Sequence, residues 1–178
     1  MMRMTNIAAG ALAGMALLTG QAAQAQQTRC VDPRDLSDAV VYTMPSLVDA
    51  YRTKCAATMS GKGFLAREGD RFSARFAALA DRSWPGAYRL LESFAANGTN
   101  RDLVQAFEQL PPETLRLVVD TIVIQKVAQE IKVKDCARID RGVELLAPLP
   151  VENVGGLISF IVEMAGVENP SLCLSDPE

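Results

Sequence analysis

Residues 112–131 read PETLRLVVDTIVIQKVAQEI, and the fold class turns on them. Val118-Val119 and Ile122-Val123-Ile124 are β-branched runs that would suit a strand. The span is too long for that, since strands usually run about 5–6 residues and helices 10 or more. Pro112 and Glu113 are favourable first-turn residues, because proline needs no donor there and an acid faces the positive end of the dipole. Apolar side chains lie around most of the circumference, which predicts that this helix is the longest and the central one.

Working outward, Lys134 to Ala147 and Pro150 to Val167 form a last helical pair. Towards the N-terminus, Asp35 to Thr43 reads as a short helix that Pro45 interrupts, since proline suits a first turn and not an interior. A second helix then runs from Pro45 to about Met59, with Leu47, Val48, Tyr51 and Cys55 at helical spacing, and Gly61-Lys62-Gly63 ends it. Phe64 to Arg82 continues with Leu65, Phe72, Phe76 and Leu79 inward, and Ser83-Trp84-Pro85 reads as a cap and restart. That helix stops at Asn97-Gly98, and Thr99-Asn100-Arg101-Asp102, close to a capping box, opens a short helix through Leu110. No segment alternates apolar and polar residues between turn dipeptides. The expectation is an all-α, single compact domain of about seven short helices.

Leu110-Pro111-Pro112-Glu113-Thr114 and Leu149-Pro150-Val151-Glu152-Asn153 resemble each other, and both lead to an Ile-Val pair in the same register. Two copies fall short of the three a stable solenoid needs, so good first-turn chemistry explains the likeness better.

The first 25 residues have a different character. Arg3 supplies one positive charge, Ile7 to Leu18 is an unbroken run of apolar and small residues, and Ala23-Gln24-Ala25 offers small side chains at a cleavage site. Together these predict a secretory signal, residues 1–25, removed after Ala25 to leave the helical domain 26–178. The run is too short for a spanning helix, which needs about 20 apolar residues, so no transmembrane segment is expected in the remaining chain. A periplasmic or secreted location follows.

All four cysteines, Cys30, Cys55, Cys136 and Cys173, lie beyond that signal. An even count in an exported chain predicts two disulfides. A zinc site is disfavoured, because C-x-x-C spacing is missing and the chain contains no histidine. If Pro45 folds the second region into a hairpin, Cys55 returns to Cys30, and the last helical pair brings Cys136 to Cys173. Were residues 35–58 one straight helix, Cys30 and Cys55 would instead stand about 30 Å apart, far beyond disulfide reach.

The absence of histidine removes Ser-His-Asp and Cys-His catalysis. A Ser-Lys arrangement would have to use Ser60 with Lys62 or Lys54, which read better as ordinary helix-end residues. Gly61-Lys62-Gly63 lacks the frame of a phosphate loop. Asp32, Asp35 and Asp38 suit a first helical turn more than a metal. Asn97-Gly98-Thr99 matches a glycosylation acceptor, although Gly98 reads better as a cap. No catalytic residue, metal ligand or cofactor is assigned, and a net charge of −3 disfavours nucleic acid.

The most suggestive stretch is apolar: Val154-Gly155-Gly156-Leu157-Ile158-Ser159-Phe160-Ile161-Val162. Its two glycines permit close helix approach or leave a groove. Val119, Ile122, Val123, Leu157, Phe160 and Ile161 are the candidate lining of such a groove. The resulting expectation is an exported, non-enzymatic helical protein of the cell envelope that acts through a protein partner. The alternative is a carrier of a small apolar ligand or lipid in a helical cavity.

Overall fold

The computed structural model describes residues 30–59, 61–97, 106–107, 109–167 and 171–173. Among them are seven α-helices: α1 (Pro33–Cys55), α2 (Phe64–Arg67), α3 (Gly69–Ala77), α4 (Ala80–Asn97), α5 (Pro112–Glu130), α6 (Cys136–Leu146) and α7 (Val151–Met164). A short 3₁₀ turn, Val133–Asp135, precedes α6. No strand forms among the described residues; Val31 and Leu172 make one isolated parallel bridge. The all-α, compact expectation holds. The proposed signal, and the helix expected to open at Thr99, lie wholly or largely outside the described residues.

The centre of the molecule is α1 and not the 112–131 helix. α3, α4, α5 and α7 all pack on α1, while α2 leans on α3 and α6. The helix begins where Asp32 accepts a hydrogen bond from the Arg34 amide at 2.8 Å, with Pro33 in its first turn. It runs unbroken through Pro45, against the expectation of a hairpin there. Proline inside a helix costs about 3 kcal/mol. Val41, Tyr42 and Met44 are buried before it, and Val48, Tyr51 and Cys55 after it. At roughly 1.5–3 kcal/mol for each large buried side chain, that continuity outweighs the missing hydrogen bond. The same reasoning covers Pro85, which α4 also absorbs instead of restarting there. α5 has only Leu115 fully buried, and Leu117 is 67% exposed, because one side of that helix rests on α1 and the other faces outward.

Around α1 the core gathers Leu65 from α2, Phe72 and Phe76 from α3, Cys136 from α6, and Val151 and Val154 from α7. Phe64 to Arg82 is not one helix: it divides at Glu68 and again at Ala78–Leu79, so that Leu65, Phe72 and Phe76 all reach this core. Polar groups from distant segments close the helix ends. Asp140 on α6 accepts from the Phe64 and Leu65 amides at 2.9 and 2.8 Å and so caps α2. Arg75 on α3 donates to the Ala147 and Leu149 carbonyls beyond the end of α6, both at 2.5 Å.

The cysteine pairing departs from the expected one. Cys30 is bonded to Cys173, with Cα atoms 4.9 Å apart, and Cys55 to Cys136, at 5.9 Å. The cause is the unbroken α1, whose 23 residues hold Cys30 and Cys55 at opposite ends, roughly 35 Å apart. Each end of the central helix is thereby fastened to the C-terminal half. At the first end, the Val31 amide donates to the Ser171 carbonyl and the Cys173 amide to the Val31 carbonyl, at 2.8 and 2.9 Å.

Candidate contact surface

α7 starts at Val151 behind Pro150 and ends with Gly166 at φ 63°, a left-handed position that suits glycine. Its inward face carries Val151, Val154, Gly155 and Ser159. Gly155 sits where a side chain would strike Ser37, which lets the two helices approach closely. Ser159, the only hydroxyl of the helix, points inward and donates to the Pro33 carbonyl at 2.8 Å.

The outward face has the opposite character. Leu157, Phe160, Ile161 and Met164 are 40, 56, 55 and 72% exposed, and Val167 just beyond the helix is 45% exposed. The four helical positions follow i, i+3, i+4, i+7 spacing, so they adjoin one another in a single stripe. Helix amphipathicity normally turns such a stripe inward. Here the hydroxyl is buried and the large apolar groups face outward. Isolated exposed apolar residues are ordinary, whereas contiguous rows are the kind of surface at which interaction sites are found. The only ionisable residues of α7 are Glu152 and Glu163.

A polar cluster joins α1, α4 and α5. Asp120 accepts from Ser46 Oγ at 3.2 Å and from the Tyr42 hydroxyl. Burial raises the Asp120 pKa, against the lowering effect of these hydrogen bonds and of Arg116. Burial also raises the Tyr42 pKa, and the nearby Asp120 charge adds to it. Arg116 pairs with Asp81 and lies over the Trp84 ring, 5.1 Å from its centroid. The arrangement ties three helices together. Asp32, Asp35 and Asp38 have structural partners: Asp32 caps α1, Asp35 pairs with Arg89 of α4 at 2.6 Å, and the same arginine attracts Asp38. Among the described residues no three Cys, Asp or Glu side chains gather as metal ligands.

Two clefts open near the α2 end of the molecule. One, of about 330 Å³, is lined by Phe64, Glu68, Arg71, Phe72, Arg75 and Ala147. The other, of about 200 Å³, lies beside Tyr51, Met59, Val133, Lys134 and Asp140. Val119, Ile122 and Val123 on α5, and Leu157, Phe160 and Ile161 on α7, line neither. Ile122 is 40% exposed, and the two helices each pack on α1. The sequence reading named three members of the α7 stripe but missed Met164 and Val167, which continue its period. It also missed the cleft beside Phe64 and Phe72. Comparison with known proteins finds no family model, curated protein or solved structure that matches the chain.

Proposed function

We propose that this chain is an exported, non-enzymatic helical protein of the periplasm or extracellular space, and that it works through protein contacts made by the outward face of α7. The α7 stripe carries this reading: a folded protein holds such a row outside only at a cost that a partner relieves. Export is supported by the N-terminal signal pattern and by two disulfides, which persist in oxidising compartments. No helix among the described residues is long and apolar enough to cross a membrane.

The test is site-specific photo-crosslinking in the expressing cells, with the reactive group at position 160 and, as a control, at position 117. A protein adduct at 160 that is absent at 117 supports the contact reading; no protein adduct at 160 overturns it. Mass spectrometry of the purified protein checks export, since the reading requires loss of residues 1–25.

A second reading, a carrier of a small apolar ligand, is favoured by one observation. The cleft beside Phe64 and Phe72 reaches about 330 Å³, the lower range of ligand sites. Extra native mass of a few hundred daltons that disappears on denaturation would support it.

A further inference from the structure

The four helical positions of the α7 stripe are symmetric about their midpoint, while Val167 lies beyond them and its mirror position, Val154, is buried. Phe160 and Ile161 flank the centre, and Leu157 and Met164 stand equally far from it on either side. Two such helices laid antiparallel across a two-fold axis would oppose Leu157 to Met164 and Phe160 to Ile161, with every contact made twice. We propose that a second copy of this chain covers the stripe, so that the protein is a homodimer paired through α7. The inference rests on the contact reading above and names its partner.

Area and charge both favour this occupant. A fully exposed large side chain presents about 200 Å², so the fractions at positions 157, 160, 161, 164 and 167 leave roughly 500 Å² of apolar surface per copy. Two copies together reach about 1,000 Å², the threshold for a specific interface, before any rim contributes. No charged residue lies within the stripe, so the two copies do not repel at its centre; Glu163 borders it. Gly156 has open space where a side chain would stand, which leaves one margin of the helix low enough for close approach. A lipid surface fits less well. Interfacial helices carry Lys and Arg for anionic headgroups, and α7 offers only Glu152 and Glu163.

The experiment is sedimentation equilibrium of the purified, disulfide-bonded protein across a wide concentration range. A mass of twice the protomer is expected, with a dissociation constant on the order of micromolar for so small an interface. Phe160→Glu and Met164→Glu should each weaken the dimer about 100-fold or more, because each substitution enters a two-fold interface twice. Leu117→Glu, on the exposed side of α5, should leave it unchanged, and matching helical circular dichroism will show that all three variants fold. A monomer up to about 1 mM overturns the proposal. So does a dimer indifferent to Phe160→Glu, or a monomer that binds vesicles of anionic and zwitterionic lipid through Phe160. If the protein is monomeric yet position 160 crosslinks to a different protein, the contact reading stands and the second copy falls.

Discussion

Gly155 lies directly against Ser37. A Cβ on Gly155 would stand 2.6 Å from Ser37 Oγ and 2.8 Å from the Ser37 carbonyl oxygen, so α7 and α1 meet with no room for a methyl group. Gly155→Ala should therefore force the helices apart and cost about 1–3 kcal/mol, the range for overpacking. Gly156→Ala, one residue on and facing open space within the protomer, should stabilise the protomer by about 0.5–1 kcal/mol through helix propensity when measured at concentrations too low for association. Urea denaturation of the oxidised variants measures both. Equal effects at the two positions would refute the packing described.

The disulfide pairs are checked by proteolysis without reduction and mass spectrometry of the linked peptides. Peptides joining Cys30 to Cys173 and Cys55 to Cys136 are expected. Replacing Cys55 and Cys136 together by alanine should destabilise by about 2–5 kcal/mol, since the bridge closes a loop spanning 81 residues. A Cys30–Cys55 peptide would mean that α1 is broken at Pro45.

Asp140 receives the first two amides of α2 from across the fold. Asp140→Ala leaves both without an acceptor and should cost about 1–2 kcal/mol. Asp140→Asn keeps one acceptor oxygen and should cost less. An unchanged denaturation midpoint in the alanine variant would remove Asp140 from this role.

Asp120 gives the protein a pH signature. Burial holds its pKa above the ordinary carboxylate value, so the folded state keeps the proton more tightly than the unfolded chain does. Stability from this group is greatest below the ordinary value, falls as pH rises to the raised one, and is level above it. Asp120→Asn removes the charge and keeps an acceptor for Ser46 and Tyr42. Relative to the natural protein, the variant should gain stability between about pH 3 and pH 7. Asp38 is raised in the same direction, by burial and by Asp35, but it contributes equally to both proteins and cancels. A difference that stays constant across this range would count against the desolvated carboxylate.

Two helix starts were legible because their chemistry is local: Pro112 and Pro150 mark the beginnings of α5 and α7. The same proline signal misled at Pro45 and Pro85, which α1 and α4 run through, and α1 begins at Pro33, ahead of the expected Asp35. The cysteine pairing was not legible. It depends on whether α1 continues through Pro45, which is decided by side chains from α2, α3, α6 and α7 that converge on both halves of that helix. The outward face of α7 was hidden for a related reason. Val154 to Val162 is apolar on all sides, so its period names no inside. The burial of Val151 and Val154, the fit of Gly155 against Ser37 and the bond from Ser159 to Pro33 orient the helix.

The nested bridges also set the order in which this protein can mature. Cys30 and Cys55 precede Cys136 and Cys173 along the chain, yet each finds its proper partner among the later two. An oxidant that joined thiols as they emerged from the ribosome or a translocation channel would link 30 to 55 and bend the central helix back on itself. That link must then be undone by thiolate attack on the wrong bridge, which is the work of an isomerase and not of an oxidase. Cys30 must wait for a partner 143 residues further along the chain, so a chain cut short before Cys173 would leave it unpaired.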